Sequence, residues 1–452
     1  MDTVKRRFLI LDGNIYRVIF ILALPIMVNN LIQTAYNLVD GLWVSRLGPT
    51  EFAATSFVWP VNFLFISLGL GISIAGTAII SQLIGAEKMK EAGEYAVQMI
   101  AISFIAAIVF AVIGYISSPF VIAAMGGKGE LAFYSNIYLR ITFLDMPFMF
   151  LFFNYNSIMQ AQGNTLYPTV LSGISAILNC VLDPIFIFNL NMGVAGAAWA
   201  TLISKALLAM AGLFMLYKKS GIVKVSFRGF RFNKEIGKKI ISIAVPSSLG
   251  QSGSALGFII LNSFVASYGT ATLAAFGMVN RITSLIMQPA SGIGSALTSI
   301  VGQNLGAEQF SRVKEAVKKS TISVLAISLL GLAAMLIWDR EIIEFFMQSG
   351  DDGGVVQEGI TFLQFIAYSA PLMGIFSIFQ GIFQGSGHTK YSMAMDVGRL
   401  WLIRIPMILI FKYFTSIGSE GIWFSMSFSN LITCIYGFII YRQNKWQVRV
   451  VK

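Results

Sequence analysis

Apolar residues along this chain gather into twelve long runs, bounded roughly by residues 15–40, 53–79, 94–116, 132–156, 165–188, 194–217, 238–263, 272–298, 318–338, 359–381, 392–414 and 421–441. Each reaches the ~20 residues that an α-helix needs to cross the hydrocarbon core of a bilayer. The pattern predicts an all-α, polytopic membrane protein of twelve transmembrane helices. Within the first run the polar positions are not scattered: Asn29, Gln33, Tyr36, Asn37 and Asp40 recur at helical spacing, as one stripe down an otherwise apolar rod. Pro25, upstream on the same rod, removes a backbone donor and frees the carbonyl of Ile21, which gives the helix a place to bend.

Asp40 is an ionisable group at membrane depth, where it costs ~2.5–3.5 kcal/mol even on a lenient insertion scale and is rarely kept without a use. A second carboxylate, Asp183, follows Asn179 by one helical turn and directly precedes Pro184, which releases the carbonyl of Cys180. A carboxylate, an amide and a freed carbonyl at one height are the parts of a small-cation site, to which Thr201 in the next span can add a hydroxyl. The site would take a proton or Na⁺. The plainer alternative is that Asp183 caps a helix or pairs with Lys205. Asp145 reads as functional or as an internal ion pair, and Asp396 with Arg399 as a local salt bridge near the end of a span. Lys205, Arg281 and Arg404 have no partner visible in the sequence. Asn154 and Asn156, with Gln160 and Gln162 beyond them, continue a polar track, and Met27, Phe63, Phe153 and Met159 suit an adaptable pocket lining.

The chain also repeats itself. Pro25, Gly48, Gln82, Gly85, Ala86 and Glu87 match Pro246, Gly269, Gln303, Gly306, Ala307 and Glu308 at a shift of 221 residues, and Pro147, Gln160, Gly163 and Tyr167 match Pro371, Gln384, Gly387 and Tyr391 at 224. Two six-helix lobes in the same orientation follow, related by a pseudo-twofold axis along the membrane normal, with a cleft between them of the kind alternating-access transporters use. The expected division is residues 1–217, a basic linker 218–237, and residues 238–452. Asp40 falls opposite Leu261 and Asp183 opposite Met407, which predicts that the charge chemistry belongs to the first lobe.

Composition sharpens this picture. With 56% apolar and 12% charged residues, the chain is far from the ~25% charge of soluble domains. The net charge of +11 is a topology signal rather than a nucleic-acid footprint. Lys5, Arg6, Arg7, Lys88, the linker, Arg312, Arg442 and Arg449 share one side. The other side holds few cations, and its longest loop carries Asp339, Glu341, Glu344, Asp351, Asp352 and Glu358. Both termini are therefore expected in the cytoplasm, and the first helix is expected to stay as an anchor. The two cysteines, Cys180 and Cys434, and the single His388 give no disulfide framework and no histidine-ligated metal centre. No phosphate-binding loop occurs, so neither a cofactor nor an enzymatic activity is expected.

NLVDGLWVSRLG, the GAE box with its repeat copy, AQGNTLYPT and NCVLDPIFIF together resemble the multidrug and toxic compound extrusion (MATE) family, over nearly the whole chain. An acidic residue in the first helix, with another before a proline in the fifth span, is similar to the DinF-like prokaryotic branch. The resemblance implies a monomeric secondary antiporter in the plasma membrane that exports cationic or amphipathic compounds against H⁺ or Na⁺. It implies a coupling site at Asp40, Asn179, Asp183 and Thr201, where Na⁺ would sit, with Tyr36 and Asn156 beside it, and bending at Pro25. Gln33, Asn154 and Met27 complete the expected substrate pathway. A flippase for lipids or lipid-linked precursors, of the same two-lobed build, is the alternative.

Overall fold

The computed structural model describes residues 3–219, 221–346 and 353–451, so Asp351 and Asp352 lie outside the described residues. Among those described, no strand occurs. A short α1 (Thr3–Asp12) is followed by six long rods: α2 (Ile15–Ser45), α3 (Pro49–Gly85), α4 (Met89–Ala124), α5 (Gly129–Ala161), α6 (Leu166–Pro184) and α7 (Gly193–Lys219). After the linker come α8 (Lys234–Ala266), α9 (Thr270–Gly306), α10 (Phe310–Ile337), a short α11 (Asp339–Phe346), α12 (Gly353–Gly385), α13 (Thr389–Val397), α14 (Ile405–Phe414) and α15 (Glu420–Arg442). A π turn, Gly398–Arg404, joins α13 to α14 as one rod, so six rods lie on each side of the linker.

Ten helices among the described residues are long and apolar enough to cross a membrane. The two rods outside that set are α9 and the rod of α13 and α14. In α9 the polar side chains Thr283, Thr298, Gln303 and Asn304 are buried, which lowers hydropathy without exposing the helix. Prolines are absorbed rather than fatal. α2 continues through Pro25 as one helix, and α6 passes Pro184 into a π turn, Ile185–Asn189, whose wider register accommodates the missing donor.

The duplication reappears in the packing. α2 lies on α6 as α8 lies on α13, and α3 on α5 as α9 on α12; α4 packs on α5 as α10 on α12, and α5 on α7 as α12 on α15. Between the halves, α2 rests against α9, and α3 against both α8 and α9. The halves close on each other at the end that carries both termini. Gln82 Nε2 donates to Gly385 O at 3.2 Å, and its repeat partner Gln303 donates to Ala161 O at 2.7 Å, each reaching into the opposite half.

The GAE box sits at this crossing, and its geometry explains why the sequence carries it twice. A Cβ on Gly85 would meet Gln303 O at 2.0 Å, and one on Gly306 would meet Gln82 O at 2.0 Å, so only glycine lets the two backbones approach. Glu87 and Glu308 then take left-handed φ angles of 63° and 60°, and the next amides turn back to Leu83 O and Asn304 O, ending α3 and α9 in the same way.

Both chain ends strap this seal. On α1, Arg7 donates to Ile84 O (3.1 Å) and Gly85 O (3.3 Å) of the first half, while Arg312 of the second half donates to Ile10 O (3.1 Å). The C-terminal tail mirrors this: Arg449 donates to Gly306 O (3.4 Å) and pairs with Glu308, and Val450 N donates to Gln82 Oε1 (3.0 Å).

Gly306→Val should overpack the crossing by ~1–3 kcal/mol and lower the melting temperature of the purified protein. Gly277→Val, where a Cβ meets nothing within 4 Å, is the control expected to stay near wild type. A Gly306→Val protein as stable as that control would refute the close approach.

Candidate functional site

Three helices of the first half bring the expected cation residues together. On α6, Asn179 Nδ2 donates to Asp183 Oδ1 at 3.2 Å and to Thr201 Oγ1 of α7 at 3.4 Å. Tyr36 of α2 shares a hydrogen bond of 3.1 Å with the same Thr201 hydroxyl. Asp40, one turn beyond Tyr36, lies within electrostatic reach of Asp183 and of Lys205. Asp183 is 0% exposed, Asn179 1% and Thr201 8%, so these three are shielded from bulk water, while Tyr36 and Asp40 are half-buried.

The chemistry lies in what these groups leave unmade. Asp40 Oδ1, Asn179 Oδ1 and Asp183 Oδ2 are buried, and no protein donor reaches any of them. Orphaned acceptors in a protein interior are costly, and three in one cluster ask for a positive ligand. The donor set is two carboxylates, an amide and a hydroxyl. All are hard oxygens, which suit a proton or a hard cation; among the described residues no group of three His, Cys, Asp or Glu side chains offers a transition-metal centre. Val44, Ile187 and Ala197, with Trp43, Leu47 and Tyr138 around them, form an apolar cluster beside the site, and Trp43 meets Phe188 edge-on at 6.2 Å.

Lys205 does not neutralise Asp183. Its Nζ lies 2.6 Å from Asp145 Oδ2, so Asp145 forms an internal ion pair, one of its two readings, with the lysine that the sequence offers to Asp183. Arg404, the other buried cation without a visible partner, is held by Ser429 Oγ (3.0 Å), Met426 O (3.3 Å) and Asn430 Oδ1 (3.2 Å). Arg281 is exposed.

A central cavity of about 550 Å³ opens between the halves, separate from the carboxylate cluster. α3 contributes Phe63 and Thr77, α5 contributes Asn156 and Gln160, and α8, α9 and α12 supply most of the remaining wall. Of the expected pathway residues, Asn156 lines this cavity and Tyr36 belongs to the carboxylate cluster. The others lie elsewhere. Asn154 turns into the first half, where its Nδ2 donates to Ser103 Oγ (2.7 Å) and Phe150 O (2.8 Å). Met27 packs where α2 crosses α9, close to Gly292, and Gln33 is exposed on the far side of α2.

One expectation is corrected here. Asp396 and Arg399 form no ion pair among the described residues, and both line the central cavity instead. Charge is therefore not confined to the first half. Reading equivalent positions missed it, because at the 224-residue shift Asp396 falls opposite Ser172, well away from Asp183. The π turn then aims Arg399 inward.

The comparisons with known proteins follow this geometry. The MatE family model matches residues 25–185 and again 246–410, one copy per half. The chain is 25% identical over 445 residues to the probable multidrug resistance protein YoeA of Bacillus subtilis, covering 96% of each chain. It is 25% identical over 434 residues to the multidrug export protein MepA of Staphylococcus aureus, covering 94% of this chain and 93% of that one. A solved structure of a MOP superfamily transporter from Pyrococcus furiosus superposes with a TM-score of 0.90 at 28% identity, covering 96% of this chain and 97% of that one.

Lys205→Met would strand the buried Asp145 carboxylate and should lower the unfolding free energy by roughly 3 kcal/mol, read as a fall in melting temperature. Adding Asp145→Leu should recover most of the loss. A single variant that melts with wild type would show that the pair carries no stability.

Proposed function

The chain belongs to the MatE family, and from that premise we propose that it is a secondary antiporter that exports cationic or amphipathic compounds while H⁺ or Na⁺ runs inward. The observation that carries this reading is the set of three buried, unbonded acceptor oxygens on Asp40, Asn179 and Asp183 in the first half, in a protein that also holds a separate cavity of drug-sized volume between the halves. The relatives named as multidrug resistance and export proteins support the substrate class.

The cycle has two parts. Substrate enters the central cavity from the cytoplasmic side when the Gln82 and Gln303 crossing is open. A cation or proton then satisfies the orphaned oxygens, α2 yields at Pro25, and its contact with α9 through Met27 carries the change to the second half. The two lobes, residues 1–217 and 238–452 joined by the linker 218–237, rock about the shared contacts of α2 with α9 and α3 with α8. The basic residues clustered with the termini support a cytoplasmic location for that end in the cell membrane. The protein works as a monomer, because each chain holds both lobes.

Asp40→Asn and Asp183→Asn keep size and shape but remove the charge that a cation must satisfy. In proteoliposomes with an imposed pH or Na⁺ gradient, each should cut dye export by roughly 5- to 150-fold, the span of a coupling free energy of about 1–3 kcal/mol. Full export by either variant would remove that residue from coupling. Export driven by neither gradient in wild type would overturn the antiport reading.

A further inference from the structure

Two arginines of the π turn Gly398–Arg404 have opposite surroundings. Arg404 spends its donors on Ser429, Met426 and Asn430 and is a structural cation. Arg399, five residues earlier, lines the central cavity, and among the described residues no oxygen accepts a hydrogen bond from it. Its Nε is buried and unbonded, and its guanidinium lies 4.3 Å from the centroid of the Phe376 ring. That ring packs against the guanidinium at the cavity wall, a cation–π contact that supplies no hydrogen-bond acceptor.

An arginine stays charged in any protein setting and carries five donors. Holding one at membrane depth without a hydrogen-bonded partner is expensive, so an occupant of the cavity that brings acceptor oxygens to it gains over water. The neighbours add no competing anion at bonding distance. Asp396 lines the same wall within electrostatic reach of Arg399 but forms no ion pair with it, and its carboxylate is hydrogen-bonded by Gln380, whose amide with that of Gln384 also meets Ser392. Gln251 and Ser254 supply further polar groups, and Phe258 and Met373 an apolar floor. A purely cationic substrate would meet repulsion here that only Asp396 offsets.

The geometry points to a carboxylate-binding subsite on the second-half wall of the cavity. Arg399 takes the carboxylate of an amphipathic substrate in its N–H fork, and Asp396 faces the cationic end of a zwitterion. Among amphipathic cargo, this subsite favours molecules that carry a carboxylate over their esters. This rests on the export reading for its physiological meaning, while the binding itself stands apart from transport.

Rhodamine B and its ethyl ester share one cationic ring system and differ in a single carboxylate. Binding of both to the detergent-solubilised full chain can be followed by fluorescence anisotropy. Wild type should bind the acid at least as tightly as the ester. Arg399→Gln should raise the Kd of the acid by roughly 10- to 100-fold, the range for losing a charged hydrogen bond, with the ester left within about twofold. Arg399→Lys, which keeps the charge and loses the fork, should fall between them.

Equal weakening of acid and ester in both variants, unaltered acid binding in Arg399→Gln, or no acid binding by wild type would each overturn the subsite. If the discrimination holds while gradient-driven export of both dyes is absent, the export reading fails and the subsite stands.

Discussion

A polar group inside a bilayer can be satisfied only by the protein or by what the protein binds. That constraint sorts the buried charges of this molecule into two kinds. Lys205 with Asp145, and Arg404 with its three acceptors, find partners within the protein and hold helices together, although Asp145 Oδ1 is left without a donor. Asp40, Asn179 and Asp183 present oxygens that no protein donor reaches, and Arg399 presents donors that no oxygen accepts. The incomplete groups are where a cation and a substrate have something to offer.

The duplicated frame places these groups. Each half contributes a rod that crosses to the other, and the backbones meet most closely where Gly85 faces Gln303 and Gly306 faces Gln82. Straps from α1 and from the C-terminal tail reinforce that end, each touching both halves through Arg7, Arg312, Arg449 and Val450. With this end closed, the Asp40 and Asp183 cluster is enclosed by α2, α6 and α7 within one half, while the cavity lies between halves. α2 is common to both, because it carries Asp40 and also packs on α9.

Much of this was legible in the sequence. Long apolar runs predict the rods, α9 among them, although its hydropathy is modest because buried polar side chains interrupt it. Asn179, Asp183, Thr201 and Tyr36 were singled out together, and hydrogen bonds join them. What stayed hidden depends on contacts between distant segments. The partner of Lys205 lies 60 residues away on another helix. The terminal arginines read only as positive charge, since their acceptors are backbone carbonyls at helix ends, which no side-chain pattern reveals. Asp396 and Arg399 read as a local pair because spacing of three is the ordinary signature of one. Asn154 was placed on a polar track, but its amide bonds Ser103 inside the first half.

The central claim is that the Asp40 and Asp183 cluster changes its cation or proton occupancy. Infrared difference spectroscopy of the reconstituted protein, recorded as pH is stepped or Na⁺ is added, reads the carboxyl stretch directly. The account predicts a protonated-carboxyl or carboxylate band that changes with the ion in wild type and vanishes in the Asp40→Asn, Asp183→Asn double variant. A spectrum identical in wild type and double variant would contradict it.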